Sequence, residues 1–312
     1  MRLVFMGTPD TALPVLQALS SIHDVVAVYT RPDACSGRGR VMSQSAVKKE
    51  ALRLGIPVMQ PSNFKEAGSI DFLRDIQPEA VVVVAYGRIL PKTVLEIPRL
   101  GCINVHFSIL PRHRGASPVA GAILAGEMFT GISIMLMDAG MDTGPVLSVS
   151  QVPVFDWDTT LSLGKRLAAV SGSVIGEVLE SWARQEIVPR EQNEKAATYS
   201  GIIRKEDGLI SWNEDSSTIW RKARAYYPWP GVYSTWQGKV LKLLTVEPFE
   251  SNCIEEPGRV IHLDGKHGMA AGVVTGKGIL GIKSLQMEGK KEMTTADFIR
   301  GQKDFIGSLL PC

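Results

Sequence analysis

Ala80-Val81-Val82-Val83-Val84-Ala85-Tyr86 decides the fold class. The run shows no alternation of polar and apolar residues, so neither face of its strand expects water. Strands covered on both faces belong to parallel sheets flanked by helices. Towards the N-terminus, residues 3–6 and 25–29 are similar apolar runs, separated by a stretch, 12–19, with apolar residues at three-and-four spacing. Residues 47–54 and 64–76 also carry helical spacing, and 103–107 and 132–137 extend the strand series by the logic of the central run. Strands alternating with helices predict a doubly wound, Rossmann-like, mostly parallel sheet with right-handed crossovers.

The pattern changes further along. An amphipathic helix is expected over 161–183, then a polar connector over 189–198. After a helix at 217–225 come short strands at 231–236, 239–246, 258–263, 269–275 and 278–286, punctuated by glycines, and a last helix at 295–302. Strands so short and so closely spaced predict a small β-barrel. The division expected is therefore a catalytic domain over 1–189, a linker over 190–205 and a second domain over 206–312. The 34 basic and 32 acidic residues leave a net charge of +2, which excludes a globally basic nucleic-acid binder; any basic face is local. Cys35, Cys102, Cys253 and Cys312 are dispersed with no C-x-x-C pair, so neither a zinc site nor a disulfide framework is expected. With no apolar run of about 18 residues and no leader pattern, a monomeric cytoplasmic protein without metal or membrane partner is expected.

Four segments carry candidate chemistry. Gly7-Thr8-Pro9-Asp10 lies where nucleotide phosphates bind in doubly wound sheets. It lacks G-x-G-x-x-G, and Pro9 removes an N–H from any cradle, so a nicotinamide or ATP site is disfavoured. A structural turn and the lip of a pocket for another ligand both stay open. Asn104 and His106 sit two apart on an expected strand and share a face. Buried there, each needs a hydrogen-bond partner; together they offer an amide donor and an imidazole able to donate or shuttle a proton. A satisfied core pair is the bland reading, and the strand end of an open α/β sheet favours function. In Met137-Asp138-Ala139-Gly140-Met141-Asp142-Thr143-Gly144, metal binding, capping, or placement of a carboxylate beside His106 are open. The segment lacks a calcium-loop pattern and a second ligand cluster, which disfavours metal. Asp142 is the stronger catalytic candidate, since a carboxylate raises the pKa of a neighbouring imidazole and holds its orientation; a surface turn suits Asp138. Ser36-Gly37-Arg38-Gly39-Arg40 suits a phosphate grip and idle solvation equally well. The aromatic group Trp220, Tyr226, Tyr227, Trp229, Tyr233 and Trp236 reads as core rather than a stacking platform.

Asn104-Val105-His106-Phe107-Ser108-Ile109-Leu110-Pro111-Arg112-His113-Arg114-Gly115, with Asp142-Thr143-Gly144, resembles the 10-formyl-tetrahydrofolate-dependent formyltransferases. Gly7-Thr8-Pro9-Asp10, Arg31-Pro32-Asp33, Val84-Ala85-Tyr86-Gly87, Lys205-Glu206-Asp207-Gly208 and Pro228-Trp229-Pro230-Gly231 extend the resemblance over essentially the whole chain. It implies that Asn104, His106 and Asp142 form the catalytic constellation and that Ser108, Ile109, Leu110 and Pro111 line the folate pocket. Tyr86, Ile89 and Asp138 are expected beside the pterin. The resemblance is to the branch of the family that formylates methionine on initiator tRNA. It implies 10-formyl-tetrahydrofolate as donor, an OB-like second domain that contacts the tRNA, and a Gly-Arg-Gly loop, bearing Arg38, at the acceptor end. Because net charge is small, tRNA affinity is expected from local cations: Arg38 and Arg40 first, then Arg114, Arg204 and Lys205.

Overall fold

The computed structural model describes residues 1–312 except 37–40, 65–67, 252–253, 266–267 and 312. Two compact units account for it: Met1–Val119 with Met128–Val154 and Ser162–Gly201, and Ala120–Glu127 with Phe155–Leu161 and Ile202–Cys312.

The first unit alternates strand and helix in chain order. It runs β1 (Arg2–Gly7), α1 (Leu13–Ile22), β2 (Asp24–Tyr29), the hairpin β3 (Ala34–Ser36) and β4 (Val41–Ser43), α2 (Ala46–Arg53) and β5 (Val58–Met59). There follow α3 (Ser69–Ile76), β6 (Ala80–Val84), α4 (Lys92–Leu95) and β7 (Cys102–His106). After α5 (Pro118–Leu124), which from Ala120 on is counted with the second unit, come β8 (Phe129–Leu136), β9 (Val146–Pro153) and the long α6 (Thr160–Ala183). Ser45 starts α2 by accepting a 3.0 Å hydrogen bond from the Lys48 N–H, which gives one of the helix's unpaired donors a partner.

The main sheet has the order β5-β2-β1-β6-β7-β8-β9. Strands β5, β2, β1, β6 and β7 run parallel, whereas β7–β8 and β8–β9 are antiparallel pairs. The reading of 132–137 by the parallel-strand logic is thus corrected. Strand β8 is buried through its interior, and apolar continuity reports coverage of both faces rather than strand direction. Strand β9 went unread because its burial alternates around small polar residues such as Ser148 and Ser150. The central run holds its place: Val81, Val82 and Val84 are fully buried, and β6 lies between β1 and β7. It is two residues shorter than expected, because Ala85 takes φ 45° and turns the chain out of the sheet. The order places the switch point between β1 and β6, where crevices form at the carboxyl ends of strands.

The second unit carries α7 (Ser216–Ala225), β10 (Val232–Trp236), β11 (Lys239–Phe249), β12 (Val260–His262), β13 (Ala271–Val274), β14 (Ile279–Met287), β15 (Met293–Thr294) and α8 (Thr295–Gly301). Its sheet is antiparallel in the order β10-β11-β14-β13-β12, with β15 paired to β14. Register shifts in β11 between Leu243 and Val246 curl this sheet. Trp236, Phe298 and Phe305 meet edge to face with ring centroids 5.0–5.5 Å apart. Of the aromatic group read as core, Trp236 and Tyr226 are buried while Tyr227 and Trp229 are exposed. Trp212 is fully buried, its indole N–H 3.4 Å from the Ser234 hydroxyl. Trp212→Ala is expected to destabilise this unit by about 3–5 kcal/mol, measured by denaturant unfolding; a loss under about 1 kcal/mol would contradict its place in the core. Among the described residues no helix is long and apolar enough to cross a membrane.

Candidate active site

Strand β7 is buried along its length, with Asn104 opposite Met135 and His106 opposite Ser133 on β8. The period of two puts Asn104 and His106 on one face. The loop between β8 and β9 brings Asp142 to that face, with Asp142 itself in the left-handed region at φ 55°. Its Oδ1 accepts a 3.2 Å hydrogen bond from Asn104 Nδ2, and its Oδ2 accepts one of 2.8 Å from the Gly115 N–H. Asp142 Oδ2 also stands 3.6 Å from His106 Nδ1. Asn104, His106 and Asp142 are thus brought together.

The His106 ring is anchored at its other nitrogen. Nε2 lies 3.0 Å from the His113 carbonyl, which can only accept, so Nε2 carries a proton. Burial is the largest influence on the ring and holds its pKa below 6.5; the Asp142 charge and the His113 carbonyl pull upward, and the His113 ring pushes downward. Asp142 pulls this pKa upward as expected, yet the loss of hydration in a nearly buried ring exceeds that pull and sets the net direction. His106 therefore rests neutral at pH 7. An NMR titration is expected to place its midpoint below 6.5, and Asp142→Asn to lower it further by removing the main upward influence. A parent midpoint above that value would show the carboxylate to prevail.

The turn after β7 is closed on itself. Ser108 Oγ donates to the Arg112 carbonyl at 2.6 Å, and Ser133 Oγ donates to the Ser108 carbonyl at 2.8 Å while accepting from the Leu110 N–H at 3.0 Å. Ser108 is fully buried and Leu110 nearly so, leaving Ile109 and Pro111 half-buried. Gly115 has φ 109°, and a Cβ there would lie 2.8 Å from the Ser200 carbonyl oxygen, so only glycine fits this close approach.

The remaining expected residues divide. Tyr86 packs in the core against Phe64; its hydroxyl has no partner among the described residues, and burial pushes its pKa up to about 12. What Tyr86 presents is its carbonyl, which accepts from Thr8 Oγ1 at 3.1 Å and ties the Gly7 turn to the end of β6. Ile89 is 87% exposed. Asp138 is exposed, its Oδ1 accepting from the Gly140 N–H at 2.9 Å and Thr143 Oγ1 at 2.7 Å, which closes its own loop. Arg114 is corrected as a tRNA contact. Its side chain is fully buried, bidentate to Glu194 at 2.9 and 2.7 Å, and hydrogen-bonded to Gln192 Oε1. Arg204 and Lys205 are exposed in the second unit. Arg38 and Arg40 lie outside the described residues. Gln192 went unread: it sits in the polar connector, where no periodicity or motif marks it. Among the described residues no group of three or more His, Cys, Asp or Glu side chains is placed to hold a metal ion.

Residues 1–179 match the formyl transferase model and residues 202–303 match the formyl transferase C-terminal domain. The chain belongs to the formyl transferase family. Within it, the chain is 42% identical over 311 residues to the methionyl-tRNA formyltransferase of Citrifermentans bemidjiense, covering 99% of this chain and 96% of that one. The methionyl-tRNA formyltransferase of Clostridium thermocellum superposes with a TM-score of 0.56 at 17% identity, over 88% of this chain and 100% of that one. HypX from Aquifex aeolicus, solved in complex with tetrahydrofolic acid, gives a TM-score of 0.60 at 18% identity over 98% of this chain. This chain spans 48% of the HypX chain. At such identities the two structures speak for the fold alone.

Proposed function

We propose that this protein transfers the formyl group of 10-formyl-tetrahydrofolate to the α-amino group of methionine on initiator tRNA. The observation that carries the reading is the meeting of Asn104, His106 and Asp142 at the end of β7, in a chain 42% identical along 99% of its length to a methionyl-tRNA formyltransferase. The donor supplies a formamide carbonyl; the methionine amine forms the new C–N bond, and the bond to the folate nitrogen breaks. Asn104 gives one amide hydrogen to Asp142 and keeps the other for the carbonyl oxygen as negative charge develops there. His106, neutral at rest, takes the proton leaving the amine at Nδ1 and returns it to the folate nitrogen as that C–N bond breaks; Asp142 Oδ2 faces the imidazolium that exists in between. Its Nε2–H stays on the His113 carbonyl, which fixes the ring orientation.

The folate site is assigned to the crevice edge formed by residues 85–89. Ala85 and Gly87 are exposed with positive φ, and Ile89 offers an exposed apolar side chain. This main chain leaves the sheet and runs exposed at Ala85, Gly87 and Ile89, where it can meet a pterin edge. The Ser108–Pro111 turn contributes through Ile109 and Pro111, since Ser108 and Leu110 face inward. On the tRNA side the reading uses Arg38 and Arg40 near the acceptor end and Arg204 and Lys205 in the second unit.

The test is formyl transfer from 10-formyl-tetrahydrofolate to charged initiator tRNA. Turnover that persists after prolonged chelation is expected; none with the parent protein sinks the reading. Arg38→Ala should lower kcat/KM for charged tRNA and flatten its logarithmic salt dependence by about 0.7 for a single-strand phosphate contact. The KM for the formyl donor should stay the same. Equal kcat/KM at every salt concentration would remove Arg38 from the tRNA site.

A further inference from the structure

The segment 190–200, which by sequence is a connector, is laced onto both sides of the candidate site. Arg190 and Val146 exchange backbone hydrogen bonds of 2.8 and 2.9 Å, just beyond the Asp142 loop. Gln192 Nε2 donates to the Asp142 carbonyl at 2.8 Å and to the Gly144 carbonyl at 2.7 Å. Its Oε1 accepts from Arg114 Nε and Nη2 at 3.1 and 2.9 Å. Arg114 is in turn gripped by Glu194. Further along, the Thr198 hydroxyl accepts from the His113 N–H at 2.9 Å, and the Thr198 carbonyl accepts from the Arg114 N–H at 2.8 Å. Ser200 Oγ meets His113 Nδ1 at 3.0 Å.

These bonds reach the two things the chemistry needs. One is the left-handed conformation of Asp142, at φ 55°, which aspartate tolerates without preferring, so its neighbours select it. The other is the His113 carbonyl that orients His106. We infer that Gln192 and Arg114 are positioning residues, which act through Asp142: the amide of Gln192 clamps the two carbonyls of the Asp142 turn, and Arg114 with Glu194 holds that amide in place. A fully buried guanidinium with a two-point hold on a carboxylate and a two-point hold on an amide is a rigid support. It presents Gln192 in one orientation, donor side towards Asp142.

The inference rests on the proposed formyl transfer, and the experiment separates the two. The parent protein is assayed first for transfer from 10-formyl-tetrahydrofolate to charged methionyl-tRNA; failure there concerns the reaction. With the parent active, Gln192→Ala is expected to lower kcat about 100-fold, the scale of a misplaced reacting group. The KM values for the donor and the charged tRNA should stay within about twofold, since the clamp sets catalytic geometry rather than ground-state binding. Gln192→Glu is the sharper variant. It keeps the acceptor that Arg114 needs, so the fold is supported, yet it removes the donors that hold the two carbonyls. It should lose kcat as Gln192→Ala does. If Gln192→Glu matches the parent, Gln192 serves only as a partner for Arg114 and the inference is overturned. The double variant with Asp142→Asn decides the route: no loss beyond that of Asp142→Asn alone is expected. Losses that multiply would show that Gln192 acts elsewhere, which also overturns the inference.

Discussion

Asp142→Asn is expected to reduce kcat by at least about 100-fold, the lower end of what a positioned proton-transfer group contributes, with little change in the KM for 10-formyl-tetrahydrofolate. The substitution keeps side-chain size, and asparagine tolerates the left-handed conformation that Asp142 adopts. It removes the negative charge beside His106 Nδ1. It also supplies one acceptor oxygen where the carboxylate now serves both Asn104 and Gly115. The imidazolium formed on proton uptake then faces no counter-charge in a buried setting, which raises the barrier. Single-turnover formylation of charged tRNA, with folate binding followed separately, checks it. A rate constant within threefold of the parent would remove Asp142 from the proton path.

Asn104→Leu is expected to cost about 100–1000-fold in kcat, the range for losing one donor to a developing oxyanion. Leucine keeps the branched skeleton of asparagine, though its methyl groups are bulkier, at a position only 9% exposed, so β7 should keep its place between β6 and β8. The variant loses the N–H assigned to the carbonyl oxygen and the one that steadies Asp142 Oδ1. Both residues serve one transition state, so combining this change with Asp142→Asn should give less than the product of the separate losses. A change confined to KM, with kcat preserved, would make Asn104 a binding residue.

Much of the first unit is legible from apolar runs. The stretch 80–84 reads as a central strand because four consecutive valines leave no polar face, and β6 has neighbours on both sides. The direction of β8 is not legible, because burial writes the same apolar pattern on a parallel and an antiparallel strand. Strand β9 is hidden for the opposite reason: at the edge, alternate positions face water, and serines there resemble a loop. In the site, Asn104 and His106 are legible as a pair because the strand period of two is local. Asp142 is legible as a candidate, and its meeting with them depends on a loop returning across the sheet.

Residue type and local spacing by themselves determine that this chain alternates strand and helix, then turns to short strands, and that Asn104 and His106 share a face. The net charge of +2 likewise confines any strong cationic surface to local clusters. These properties depend on neighbours a few residues apart, where backbone geometry is nearly fixed. Only the tertiary structure decides that Arg114, a surface cation by residue type, is fully buried against Glu194 and Gln192, 80 and 78 residues away. Only it decides that the His106 pKa is held down: a pKa is set by the water a fold removes and by charges it brings near, and burial here exceeds the pull of Asp142. Gln192 belongs with these, since a glutamine acquires a role only from the carbonyls that folding sets 2.7 and 2.8 Å from its amide.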